Sequence, residues 1–227
     1  MSGNAEAANG EEESFGTCLS SVSDNGSIDS YRYYLARRTM LEMLKDRGFA
    51  VPNCEIEVSL EEFRNKHGQS PETDELRISV LHRDDPSIKA MVIFCSQAIV
   101  KVNVIRAISS TIVNKDSLNR LILVVHNKIT NQAMKAVDLF SFKVEIIQIT
   151  DLLANITKHE LKPKHQVLTN QEKEELLGKY SITEKQLPRM SHKDAIARYY
   201  GLEKGQVLKV TYSGELTQLH VTYRCVW

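Results

Sequence analysis

Cysteine, proline and tryptophan are scarce in this 227-residue sequence, which holds 4 Cys, 5 Pro and 1 Trp. The cysteines stand far apart, at Cys18, Cys54, Cys95 and Cys225. No Cys-x-x-Cys pair exists, so neither a zinc site nor a disulfide framework is indicated, and a reducing compartment is expected. Ten glycines and five prolines exclude a collagen-like or low-complexity chain. No apolar run approaches the roughly 20 residues that span a bilayer; the longest, such as Met91 to Cys95 and Leu121 to Val125, are single strands. No Lys or Arg precedes Arg32 and no apolar core follows, so the N-terminus does not read as a signal peptide. Net charge is also missing: 29 basic and 29 acidic side chains balance. That argues against strong autonomous nucleic-acid binding, which needs surplus cations.

The balance is uneven along the chain. Residues 1–30 hold six acids, Glu6, Glu11, Glu12, Glu13, Asp24 and Asp29, leaving 29 basic against 23 acidic side chains beyond them, a surplus of 6. Residues 1–27, rich in Ser, Gly, Asn and Glu, read as a disordered acidic tail. A helix is expected from an N-cap at Asp29 to Arg47, with Tyr34, Leu41 and Leu44 on one face and Gly48 as its left-handed stop. Its cations Arg32, Arg37 and Arg38 can face phosphate or water, and the solvated face is the favoured reading. Ser59 and Glu62 form a capping box for a short helix ending near Gly68. Leu76, Ile78 and Val80 alternate with polar neighbours, and Asp84-Asp85-Pro86 supplies the turn into a second strand, Met91 to Phe94.

Ile105, Ile108 and Ile112 sit at helical spacing; Leu121 to Val125 is a strand, Ala133 to Phe140 a helix and Val144 to Ile149 another strand. Strand, helix, strand implies a parallel α/β sheet. A boundary is expected at residues 151–157. Beyond it lie a strand at Gln166 to Leu168, a Thr169–Glu172 capping box opening a helix to Lys179, and a helix from Ser191 and Asp194 to Gly201. Gly205 leads into a strand at Val207 to Tyr212, Ser213-Gly214 reads as the turn back, and Leu219 to Val226 alternates inward Leu219, Val221 and Tyr223 with outward His220, Thr222 and Arg224. The expected architecture is an α/β domain at 28–153 and a small α+β domain at 154–227.

Catalytic signatures fail one after another. The Gly201 to Gly205 spacing lacks the Lys-Ser/Thr of a phosphate loop. His159-Glu160 would need a second histidine where Pro163 stands, and no Gly-x-Ser-x-Gly elbow occurs. Asp84 and Asp85 could bind magnesium, but a metal-dependent nuclease wants an acid two residues before its lysine, and Ile99 precedes Lys101. No catalytic residue, metal or cofactor is therefore expected. The segment Asn127, Lys128, Ile129, Thr130, Asn131 and Gln132 leaves a buried strand and enters a helix, where amides and one cation can meet phosphate oxygens without reading sequence.

Several stretches nonetheless resemble one family. They are Leu41-Glu-Met-Leu-Lys-Asp-Arg-Gly48, then Asn155-Ile-Thr-Lys-His-Glu-Leu161 with Pro163 and His165, then Gln186-Leu-Pro-Arg189, and the run from Ala197 to Val210 with Tyr223-Arg224. They are similar to the fifth subunit of eukaryotic nuclear DNA-dependent RNA polymerases, whose C-terminal part is similar to an archaeal polymerase subunit. The resemblance implies an N-terminal jaw domain of nuclease-like, inactive three-layer fold near downstream duplex DNA. It also implies a C-terminal assembly domain docked on the largest polymerase subunit. A Thr-Pro-Ser-Ala-like loop of the family, which approaches DNA, matches Thr130 to Ala133, with Asn131 and Gln132 departing at its middle.

The resemblance thus implies DNA-facing Asn127, Lys128, Thr130, Asn131 and Gln132. For assembly it implies His159, Pro163, His165, Pro188, Arg189, Arg198, Tyr199, Gly201, Gly205, Tyr223 and Arg224. The segment Thr211 to Gln218, the ending Cys225-Val226-Trp227 and Asp194-Ala195 depart from the common pattern. With the acidic extension, these departures resemble the plant paralogues of RNA polymerase V, which makes noncoding transcripts for RNA-directed DNA methylation and gene silencing. The expected protein is a nuclear, noncatalytic subunit with no membrane association. The alternatives are a subunit shared by polymerases I, II and III, a magnesium-dependent nuclease, and a free-standing interaction adaptor.

Overall fold

A computed structural model describes residues 26–96, 98–112, 117–214 and 218–227. The acidic tail expected at residues 1–27 lies, except for Gly26 and Ser27, outside the described residues. Helix α1 runs Ile28–Asp46, and its N-cap is Ser27, whose hydroxyl accepts the Asp29 N–H at 3.2 Å. Asp29 is therefore a first-turn acid rather than the cap. Serine is as good a cap as aspartate, and the Asp29 carboxylate within the first turn still complements the helix dipole. Gly48, at φ +92°, releases the chain as expected.

Two short helices follow, α2 (Asn53–Ile56) and α3 (Leu60–His67), the second opened by the Ser59–Glu62 capping box. The solvated-face reading fails for Arg37. Its side chain is only 16% exposed and donates to Glu55 at 3.1 Å, because α2 folds back over α1, whereas Arg32 and Arg38 remain exposed.

Strand β1 (Ile78–Leu81) pairs antiparallel with β2 (Lys89–Phe94) across the Asp84-Asp85-Pro86 turn. Helix α4 (Val102–Thr111), β3 (Arg120–Val125), α5 (Asn131–Val137) and β4 (Lys143–Gln148) complete a sheet of order β1-β2-β3-β4, with β2, β3 and β4 parallel. Alternation along the central strands divides its core. Ala90, Val92, Phe94, Ile122 and Val124 pack against α1, while Met91, Ile93, Leu121, Leu123 and Val125 pack against α4 and α5. Helices thus cover both faces, as a mostly parallel sheet requires. Helix α5 ends at Val137, one turn before the expected Phe140, and starts earlier because Thr130 caps it.

The second sheet has order β5-β7-β8-β6, built from β5 (Lys164–Val167), β6 (Arg189–Met190), β7 (Val207–Gly214) and β8 (Gln218–Val226). Helix α6 (Asn170–Tyr180), opened by the Thr169–Glu172 box, covers one face through Leu176, Val207 and Cys225. Helix α7 (Ala195–Tyr200) covers the other through Ala197, Leu208 and Val226.

Three readings of this half are corrected. Asp194 is itself the cap of α7, accepting the Ile196 N–H at 2.9 Å, and Ser191 closes a preceding turn. Ser213 and Gly214 do not turn the chain; they stay in β7, opposite Leu219 and Gln218. The inward alternation of β8 also fails at its start, where Leu219 is 78% and Val221 39% exposed, because this end of the hairpin outruns α6.

Candidate functional site

The two sheets meet at a polar join that sequence reasoning missed. Arg47, at the end of α1, has a side chain only 3% exposed. Its guanidinium donates to the Tyr199 carbonyl at 2.7 Å, to the Arg198 carbonyl at 2.7 Å and to the Glu145 carboxylate at 2.9 Å. Glu145 sits within β4 and also pairs with Arg120 of β3. Burial raises the Glu145 carboxyl, but the two guanidiniums and the Arg47 hydrogen bond outweigh it and hold the group below the usual carboxylate range. Planar guanidinium suits this role, since one fork can serve a carboxylate and carbonyls together.

Around this centre, Tyr199 donates its hydroxyl to Asp46 at 2.8 Å, and Asn155 donates to Glu42 at 2.7 Å. Lys143 pairs with Glu203 at 2.8 Å, and Arg198 with Asp151 at 2.8 Å. Gly201, at φ +62°, lets its carbonyl face Arg120 and Lys143; an added Cβ would lie 2.5 Å from the Arg120 guanidinium. A lone Glu inside the apolar strand of β4 was the available signal, but nothing local named its partners.

The residues expected at the assembly surface therefore separate. Arg198, Tyr199 and Gly201 lie in the join inside the chain. Gly205, at φ +87°, makes the turn into β7 and accepts Lys173 at 2.9 Å. His159 is exposed; Pro163 and His165 share one short segment, the imidazole 2.8 Å from the Pro163 carbonyl. Burial lowers the His165 pKa. Pro188, Arg189, Tyr223 and Arg224 gather at the opposite edge, with Arg189 stacked 4.4 Å from the Trp227 ring.

The expected DNA-facing residues form one connection from β3 to α5. Asn127, Lys128, Asn131 and Gln132 are exposed. Thr130 is committed locally: its hydroxyl accepts the Ala133 N–H at 3.3 Å, and its own N–H donates to Val100 at 3.1 Å. That tether brings exposed Lys101 beside the loop. Under it, His126 meets Tyr33 edge-on at 5.1 Å, and burial lowers its pKa. Asp84 and Asp85 stay in their turn, the Asp85 carboxylate accepting both the Ser87 hydroxyl at 2.6 Å and its N–H at 3.0 Å. Ile99 is 54% exposed. Among the described residues no three His, Cys, Asp or Glu side chains converge as metal ligands.

Comparison with known proteins decides what this two-sheet arrangement is. The family model "RNA polymerase Rpb5, N-terminal domain" matches residues 27–112, and "RNA polymerase Rpb5, C-terminal domain" matches residues 154–226. The chain belongs to the RNA polymerase Rpb5 family. Its relatives include DNA-directed RNA polymerase V subunit 5A of Arabidopsis thaliana, 57% identical over 96% of this chain and 98% of that protein. DNA-directed RNA polymerases IV and V subunit 5B of the same plant is 58% identical over 88% of this chain and 92% of its own length. The RPABC1 subunit of DNA-directed RNA polymerases I, II and III of Caenorhabditis elegans is 35% identical over 88% and 97%. Rpb5-family proteins are thus polymerase subunits by name, and the join at Arg47 ties together the segments that the two models match.

Proposed function

We propose that this chain is a noncatalytic subunit of nuclear RNA polymerase V, acting in noncoding transcription for RNA-directed DNA methylation. The observation that carries the assignment is the 57% identity to a polymerase V subunit along nearly the whole of both chains, against 35% to a subunit of polymerases I, II and III. Residues 28–153 serve as a jaw of nuclease-like fold beside downstream duplex DNA. Residues 154–227 dock on the largest subunit, and the reactive centre belongs to other chains.

The loop from Asn127 to Gln132 supports the jaw role through exposed amides and the cations Lys128 and Lys101. Helix α5 has only 7 residues, so its dipole adds little, and weak contact independent of sequence is what these groups can give. A photocrosslinker in place of Gln132 should capture downstream duplex DNA in a transcribing complex, and one in place of Arg189 should capture the largest subunit. Absence of the first product removes the jaw role; absence of the second removes the docking role.

A further inference from the structure

The short strand β6 leaves most of β8 without a neighbour on the side away from β7. It pairs only Arg189 with Cys225 and Met190 with Val226, and the chain leaves the sheet edge at Pro188, whose carbonyl accepts the Cys225 N–H at 2.9 Å. Backbone groups alternate sides along a strand. The register with β7 is regular from Val207–Cys225 to Gly214–Gln218. The N–H and C=O groups of Tyr223, Val221 and Leu219 therefore point to the same open side as the Cys225 N–H. Such an edge is a template for another strand.

Beside it lies a groove of about 510 Å³ lined by Pro188, Tyr212, His220, Thr222, Tyr223 and Arg224, with no carboxylate among them. Among the described residues Arg224 makes no ion pair and the buried Thr222 hydroxyl has no hydrogen-bond partner. Exposed Leu219 and Val221 flank the same edge.

We propose that an extended, acidic segment of another polymerase subunit adds to the open edge of β8, continuing the ladder that β6 begins and setting carboxylates against His220 and Arg224. This rests on the docking role of residues 154–227 and specifies how docking occurs. A second copy of this chain is the poorer occupant, because its own β8, Gln218–Val226, holds no Asp or Glu to set against Arg224 and His220.

The test uses the full chain, tagged and incorporated into the polymerase in cells. Val221→Pro removes an outward N–H, which an edge strand tolerates, so the isolated chain keeps its unfolding transition. Incorporation should fall roughly tenfold, as expected for losing one or two ladder hydrogen bonds plus a steric block. Arg224→Glu should reduce incorporation similarly. The amides of Leu219, Val221 and Tyr223 should exchange rapidly in the free chain and slowly in the complex. Normal incorporation of both variants, with those amides unprotected in a stoichiometric complex, would overturn the edge mechanism and leave docking intact. Failure of the wild-type chain to enter any complex would overturn docking itself. A dimer of the free chain protecting the same amides would overturn the choice of an acidic partner.

Discussion

Replacing Arg47 with alanine probes the join between the sheets. The substitution leaves the 13%-exposed Glu145 carboxylate with Arg120 as its remaining strong partner, and it strips a charged donor from the Arg198 and Tyr199 carbonyls. Removing one member of a buried pair costs about 3–5 kcal/mol. Arg120 pulls this toward the lower limit, about 3 kcal/mol, and the Tyr199 carbonyl, stripped of its donor, adds about 1–3 kcal/mol, whereas the Arg198 carbonyl keeps the Gly201 N–H at 3.1 Å. A total of about 4–6 kcal/mol is expected. Trp227, the single tryptophan, lies beside β6 and β8, so its fluorescence reports the second sheet in a urea titration while circular dichroism follows the whole chain. The double variant Arg47→Met, Glu145→Leu should recover part of the loss, since no charge is left buried. A loss below about 1 kcal/mol for Arg47→Ala would mean that the pair behaves like an exposed ion pair and that the join is not what couples the sheets.

Other outcomes follow from the same geometry. Glu145 is held below its ordinary pKa in the folded state, so its contribution is complete above about pH 4.3 and lost as pH falls through the folded value. Acid titration of Glu145→Gln should show a shallower loss of stability below that pH than the wild type. Gly201→Ala should cost at least about 1–2 kcal/mol from backbone strain at positive φ, and more because its Cβ meets Arg120; equal thermal midpoints would contradict this. Thr130→Ala should lower stability by about 0.5–2 kcal/mol through loss of the α5 cap. Lys128→Ala, by contrast, should leave stability unchanged and weaken DNA contact equally for all sequences. Calorimetry and DNA binding by the assembled complex separate these two effects.

Local chemistry was legible where it was self-contained. The capping boxes at Ser59 and Thr169 and the left-handed stops at Gly48 and Gly201 need only residues a few positions apart, although a third box of the same kind, Thr183 with Gln186, was passed over. The apolar run from Leu121 to Val125 reads as a buried strand without further context. Ser27 was missed because Asp29 two residues later is an equally acceptable cap. Leu219 and Val221 carried the pattern of a buried face but lie beyond the reach of α6, a fact of tertiary extent that periodicity does not encode. The site shows the same limit more strongly. The exposed loop at residues 127–132 could be found from a strand running into a helix. Arg47, Arg120 and Glu145 come together from α1, β3 and β4, and their meeting with the Arg198 and Tyr199 carbonyls depends on how the two sheets pack. Arg198, Tyr199 and Gly201, which the resemblance assigns to assembly, also take part in this intrachain join, a task no local pattern announces.

The most direct measurement for the central reading is quantitative mass spectrometry of complexes purified from nuclei through the tagged full-length chain. Polymerase subunits should be recovered in equimolar yield, with the largest subunit of polymerase V among them. Recovery of the chain alone would contradict the assignment as a polymerase subunit, and equal recovery of the largest subunits of polymerases I, II and III would contradict the assignment to polymerase V.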